Sequence, residues 1–437
     1  MAPILSAALT LVLVDVRPAA ATHGTTTRES VSVLGGDPNG RSDRVVISLD
    51  GDVVAFESSA ENLVVPDRHR VATDVFWRNI VNDETRMVST DFNNRNEPNG
   101  KSTFPAPSCD GRYVAFMSNA NNLVAGDNPD LRNDIFRRDV HAGVTEKVSV
   151  TYTGAPPNNQ STRPSISCDG SLVAFISHAG NLVPGDTNGK LDVFVRDMVA
   201  GVTTRLSESD GQESDGESTR PILSGDGRYV VFQSDASNLV PGDTNGKSDI
   251  FRVDVATGTI VRASVTHRGG NINGISQRPW ISHDGRYVSF QTPAGNVVPG
   301  DTNARYDVFL RDLTVGTTVR VSMRHDGTPT TGECTRGVVS GDGRYVAATC
   351  ADTRIVPGDT NRDMDVFLWN LQTGAVERLN VNNADEQGDC PPPDGGEISF
   401  RPSINHDGRV IAFRSSHCNL VPDDGNGLDD IYVRSFR

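Results

Sequence analysis

Five loops of this chain carry two carboxylates and an amide in a fixed order. One reads Val183-Pro184-Gly185-Asp186-Thr187-Asn188-Gly189-Lys190-Leu191-Asp192. The pattern returns as Asp243, Asn245 and Asp249, as Asp301, Asn303 and Asp307, as Asp359, Asn361 and Asp365, and as Asp424, Asn426 and Asp430. Oxygen donors at alternating loop positions suit Ca²⁺, a hard cation that takes roughly six to eight oxygens. The motif supplies about half of these and lacks the Gly and Glu of an EF-hand. The same residues can instead build the loop itself: Asp and Asn accept backbone N–H bonds two residues on, and the last Asp caps the strand that follows. Both readings stand, with the four loops from Asp186 to Asp365 the better metal candidates. The equivalent stretches Asp67-Arg68-His69 and Asp127-Asn128-Pro129-Asp130 depart from the pattern.

A second register holds Arg44, Arg163, Arg220, Arg278, Arg336 and Arg401, with Phe104 at the one remaining place. Guanidinium groups present a planar fork to carboxylates and other anions, so a ring of them is a candidate ligand site. The reading that repetition favours is that each pairs with a loop Asp of its own or the next unit and fixes how neighbouring units stack, although a buried pair is weak evidence for stability.

The elements that position these residues follow from a repeat. Asp-Gly pairs stand at Asp50, Asp110, Asp169, Asp226, Asp284, Asp342 and Asp407. Each sits between two short β-prone runs, as a tight hairpin turn requires. In the third unit, Arg163–Cys168, Leu172–Ser177, Asp192–Asp197 and Thr203–Ser207 read as four antiparallel strands. A unit of that size, repeated seven times, predicts an all-β, seven-bladed β-propeller of four-stranded antiparallel blades. The blades fall at about 41–97, 103–152, 162–210, 219–267, 277–326, 335–383 and 400–437. The seventh lacks a fourth strand, and residues 27–34 match the missing one, so the N-terminal strand is expected to complete that blade and leave no open edge. In this geometry the arginines ring one mouth of the central channel, on the face of the Asp-Asn loops, and the Asp-Gly turns lie on the other. His283 and His406 precede their turn aspartates in blades five and seven and are expected to stand well apart.

Few aromatics, no helical periodicity and one ring spanning residues 22–437 leave no room for a second domain. A formal charge of −15 argues against non-specific nucleic-acid binding. Residues 1–21 read as a secretory signal: Pro3–Val14 is too short to span a bilayer and small residues precede Ala21, although no Lys or Arg comes before the apolar run. Six cysteines fit an oxidising compartment. Register arithmetic sets Cys334 opposite Cys350. Cys390 and Cys418 share one end of blade seven, where a bridge would tether the insertion 386–397. Cys109 and Cys168 occupy one repeat position in adjacent blades, and their pairing depends on blade spacing.

The repeated Ser-x-Asp-Gly-Arg-Tyr-Val-Ala-Phe, at Ser108–Phe116 and with one change each at Ser224–Phe232 and Ser282–Phe290, resembles the WD40-like repeat of TolB-type β-propellers. That resemblance implies the fold over nearly the whole chain, and a platform that serves binding modules, enzyme appendages and some enzymes. TolB's own N-terminal α/β domain and six-bladed count are not matched. Gly-x-Ser-x-Gly, His-Glu-x-x-His, Cys-x-x-Cys and a Walker loop are all missing. The expectation is a secreted, monomeric, non-catalytic binding module for a protein, peptide or glycan. It has no membrane segment, no nucleic-acid partner and no required cofactor beyond a Ca²⁺ that would steady its loops. The alternative is a carbohydrate-active hydrolase or lyase working at the channel mouth.

Overall fold

The computed structural model describes residues 23–65, 73–94, 96–127, 131–389 and 400–436. The signal-peptide expectation for residues 1–21 and the proposed Cys390 bridge lie outside that set. Seven four-stranded antiparallel sheets are arranged as the blades of a β-propeller. In blade three the strands are Ser161–Ile166, Leu172–Ser177, Asp192–Asp197 and Val202–Arg205, so the two central strands fall where the residue pattern put them. The ring closes with Thr25–Arg28 pairing antiparallel to Asp430–Ser435, which gives blade seven its outer strand. This strand starts and ends a few residues earlier than expected. Register explains the choice: it puts Arg28 and Ser30 where Arg320 and Ser322 stand in blade five, each facing the Asp that opens the third strand.

Alternation within each second strand shows why one blade cannot fold alone. Val173 and Phe175 pack with residues of blade two, whereas Ala174 and Ile176 pack with Val230, Phe232 and Phe251 of blade four. Seven apolar clusters result, each bridging two neighbouring blades, and the core is this circle of interfaces. In most blades two rings stack across the second and third strands, such as Phe175 on Phe194 at 5.8 Å. Truncating one to Ala would cost about 3–5 kcal/mol.

The Asp-Gly turn works through side chain and backbone together. Ser167 donates its hydroxyl to Asp169 (2.7 Å), Asp169 accepts from the Ser171 N–H (2.9 Å), and Gly170 takes φ 72°, which a side chain would resist. Counting back from an Asp342-Gly343 turn in which Ser340 faces Arg344 is what sets Cys334 opposite Cys350 in the sequence. The backbone bond of Ser340 goes instead to Tyr345, one residue further on. A bulge between Thr335 and Val338 then restores the original register, so Cys334 and Cys350 do lie opposite and form a disulfide.

Candidate ligand-binding channel

The bulge that corrects the cysteine register recurs in six of the seven innermost strands, and it is what aims the arginines. In blade three Thr162 pairs with Ile176 and Ser165 with Ala174, leaving Arg163 and Pro164 opposite Phe175 alone. Arg44, Phe104, Arg163, Arg220, Arg278 and Arg336 all have positive φ, between 48° and 58°. For a non-glycine residue that conformation costs free energy, so repeating it around one channel marks a feature that the surrounding structure enforces. Neighbouring blades help to hold it: the Arg336 N–H donates to Gln291 Oε1 (2.8 Å), and that of Phe104 to Glu57 Oε2 (3.1 Å).

The six arginines line the mouth of a central channel of about 320 Å³, together with Phe104, Trp280 and the proline that follows most bulges. Arg44 pairs with Glu57 at 3.0 Å and Arg401 with Asp43 at 3.3 Å. Among the described residues no carboxylate lies within ion-pair distance of Arg163, Arg220, Arg278 or Arg336, although each is half-buried. Burial and the charges of the other ring arginines push Arg163 down to about 10, and Arg220 and Arg336 to about 9. All remain cationic at neutral pH. Phe104, the departure from the pattern, lies between two of them, 3.9 Å from the Arg44 guanidinium and 5.1 Å from that of Arg163. A side cavity of about 400 Å³ extends from Arg163 and Arg220 past Gln160, His178, Gln233 and Gln277.

The Asp-Asn loops lie further out and face a different set of cations. Arg262, the last residue of its outer strand, is 2.9 Å from Asp243 and 3.5 Å from Asp249. Arg320 stands likewise to Asp301 (3.1 Å) and Asp307 (2.5 Å), and Arg378 to Asp359 (3.4 Å) and Asp365 (3.6 Å). Arg205 is 3.3 Å from Asp186 and near Asp192, Arg28 serves Asp424 and Asp430, and Lys147 serves Asp127 and Asp134. The amides turn the loop: Asn188, Asn245, Asn303 and Asn361 each accept the N–H two residues on, at 2.8–3.1 Å. Their NH₂ groups reach carbonyls of the connection to the next blade, as Asn303 does to Thr330 (3.0 Å). Burial drives the carboxyls up, Asp186 to about 6 and Asp430 to about 7. The outer-strand cations were visible in the repeat, at one position in six blades, but sequence reading gave them no role.

The other end of the channel also differs from expectation. The residues before the turn aspartates, Leu49, Cys109, Cys168, Gly225, His283, Gly341 and His406, meet there around the axis. Backbone hydrogen bonds cross every blade-to-blade seam at this level, from Asp50 N to Cys109 O (3.1 Å) round to His406 N to Leu49 O (2.8 Å). His283 and His406, expected far apart, touch edge to face with centroids 5.7 Å apart. They belong to blades that are not adjacent, but the ring is narrow here and Gly341, between them, has no side chain. Cys109 and Cys168 are joined as a disulfide.

No protein-family model and no curated protein matches the sequence. Solved structures do match in fold. An oligogalacturonate lyase in complex with manganese superposes with a TM-score of 0.56 at 12% identity, covering 94% of this chain and 96% of its own. The β-propeller domain of the Trilobed protease from Pyrococcus furiosus gives 0.53 at 11%, covering 92% and 96%; it is described as having an open velcro topology, whereas Thr25–Arg28 closes the ring here. TolB from Acinetobacter baumannii gives 0.40 at 17%, covering 79% and 64%. The seven sheets, with the first two of these similarities, define the class, a β-propeller.

Proposed function

We propose that this chain is a secreted, TolB-like binding propeller that holds an acidic ligand at its arginine-lined channel mouth. The observation that carries the reading is the set of four guanidiniums, Arg163, Arg220, Arg278 and Arg336, held half-buried in mutual repulsion without a carboxylate partner among the described residues. Such an arrangement costs stability in the free protein, and an anion would relieve it through charge-assisted, forked hydrogen bonds. An oligosaccharide of carboxylate-bearing sugars suits a ring of this kind: carboxylates meet the arginines while sugar faces meet Phe104 and Trp280. The acidic-sugar substrate named for the lyase of similar fold is in keeping with that class. In this reading the Asp-Asn loops need no Ca²⁺, because outer-strand cations already face their carboxylates. The Cys109–Cys168 and Cys334–Cys350 disulfides accord with an extracytoplasmic location.

A hydrolase or lyase acting on the same ligand is the second reading, favoured by the paired imidazoles of His283 and His406 on the channel axis. Titration calorimetry with oligogalacturonates and with uncharged oligosaccharides of equal length separates these outcomes. Salt-sensitive binding of the acidic series alone supports the proposal, and equal or no binding of both defeats it. Loss of the intact oligomer on incubation would move the assignment to the enzyme.

A further inference from the structure

The channel floor carries an inference that does not depend on what the mouth binds. Cys109 Sγ, Cys168 Sγ and a ring nitrogen of His283 all lie within 4.8 Å of one another. Cys168 Sγ is 3.6 Å from His283 Nδ1. Tetrahedral zinc, with Zn–S of about 2.3 Å and Zn–N of about 2.05 Å, spaces a sulfur and a nitrogen ligand about 3.6 Å apart. The approach depends on Gly225, where a Cβ would collide with His283 Nδ1 and sit 2.9 Å from Cys168 Sγ. All three ligand residues are part-exposed, and Cys109 and His283 line the central channel.

We propose that Cys109, Cys168 and His283 form a soft-metal site when the disulfide is reduced, with Zn²⁺ the natural class of ion and the bridge and the metal as alternative occupants of one place. Two thiolates and an imidazole favour zinc over hard cations such as manganese or calcium. Three protein ligands leave the fourth position to the channel, the pattern of an open rather than a closed zinc site. The chemistry balances as follows. A phosphine reductant and one water convert the Cys109–Cys168 bond to two thiols and the phosphine to its oxide. The metal then forms two metal–sulfur bonds and one metal–nitrogen bond, and two thiol protons pass to solvent. An oxidising compartment favours the bridge, and a reducing one the metal.

The test uses the full chain, reduced by a phosphine under argon, with Co²⁺ as the probe. Thiol titration should show Cys109 and Cys168 opened while circular dichroism stays that of the folded ring. One equivalent of Co²⁺ should then give tetrahedral d–d bands and sulfur-to-metal charge transfer, which Zn²⁺ abolishes. Cys109→Ser and His283→Ala should each weaken Co²⁺ binding at least tenfold, and Cys334→Ser should leave it intact. Absence of the bands in folded protein with both thiols titrated overturns the proposal. So does persistence of the bands in Cys109→Ser, or a bridge that no reductant opens short of unfolding.

Discussion

Two rings of arginine encircle this propeller, and they live under opposite conditions. The outer ring, Arg28, Arg205, Arg262, Arg320 and Arg378, meets two buried loop carboxylates per blade. In the inner ring four of the six guanidiniums have no carboxylate within ion-pair distance among the described residues and feel one another's charge. Both are repeated with the blades, so repetition alone does not separate an adhesive from a receptor. Partners do. A cation whose charge is balanced where it stands serves the fold, and one left uncompensated beside an open channel is available to something outside it.

Stability should separate the rings most sharply. Arg262→Ala strips the counter-charge from Asp243 and Asp249 and should destabilise the protein by about 3–5 kcal/mol, as breaking a buried pair does. Arg220→Ala removes a cation that only repels its neighbours, and should lie within about 0.5 kcal/mol of the parent or above it. Urea unfolding of the two variants side by side checks this, and equal losses would dissolve the distinction.

A pH titration probes the outer ring next. Burial raises Asp430 to about 7 and Asp186 to about 6, from an ordinary value of 3.8. The folded state therefore holds protons that the unfolded state has lost, and stability declines as pH rises from about 4 through these values. For Asp430 the full effect is on the order of a few kcal/mol. Asp430→Asn, neutral throughout, should flatten that slope between pH 5 and 8. Melting curves that are as steep in the variant as in the parent would place the proton elsewhere.

The inner ring answers to ligand rather than to denaturant. Arg163→Ala with Arg336→Ala should weaken binding of an acidic oligosaccharide by at least tenfold, since one charge-assisted bond contributes about 1.5–3 kcal/mol. The same pair should reduce the salt dependence of binding and leave the melting temperature nearly unchanged. If affinity is unaffected, the mouth is not the site.

How much of this could be read from residues alone varied with the kind of interaction. The blades and the closing strand were legible because they follow from period and pairing, which are properties of the chain, whereas the Cys334–Cys350 pairing holds because a bulge offsets a one-residue difference at the turn. The arginine register was legible too, but not which members have partners: Arg44 meets Glu57 across its own hairpin, whereas Arg401 meets Asp43 only once blades seven and one are set side by side. The bulge was hidden as well: a single extra residue in six of the seven inner strands leaves no mark on the residues that carry it, whether Arg163-Pro164, Arg44-Val45 or Arg336-Gly337. His283 and His406 were misplaced for the same reason. Sequence gives their blades, and only the narrow axis makes non-adjacent blades meet.

The smallest effect sharpens the comparison from the side of the loops. In three blades the guanidinium of the outer strand stands between the first and last Asp of the motif, the position a bound calcium ion would have to take. If the arginine fills that role, chelation with EDTA should leave the parent's melting midpoint where it is, and millimolar Ca²⁺ should give no binding heat. A site filled at one hundred times its dissociation constant would instead add about 2.7 kcal/mol. Asp243 Oδ2 accepts no hydrogen bond, so Arg262→Ala leaves Asp243, Asp249 and Asn245 with an uncompensated charge and oxygen ligands to offer. In that variant Ca²⁺ should recover part of the lost stability, and the parent should not respond. A calcium response in the parent would show that the outer arginines share their loops with a metal, and the contrast between the two rings would then rest on the inner one alone.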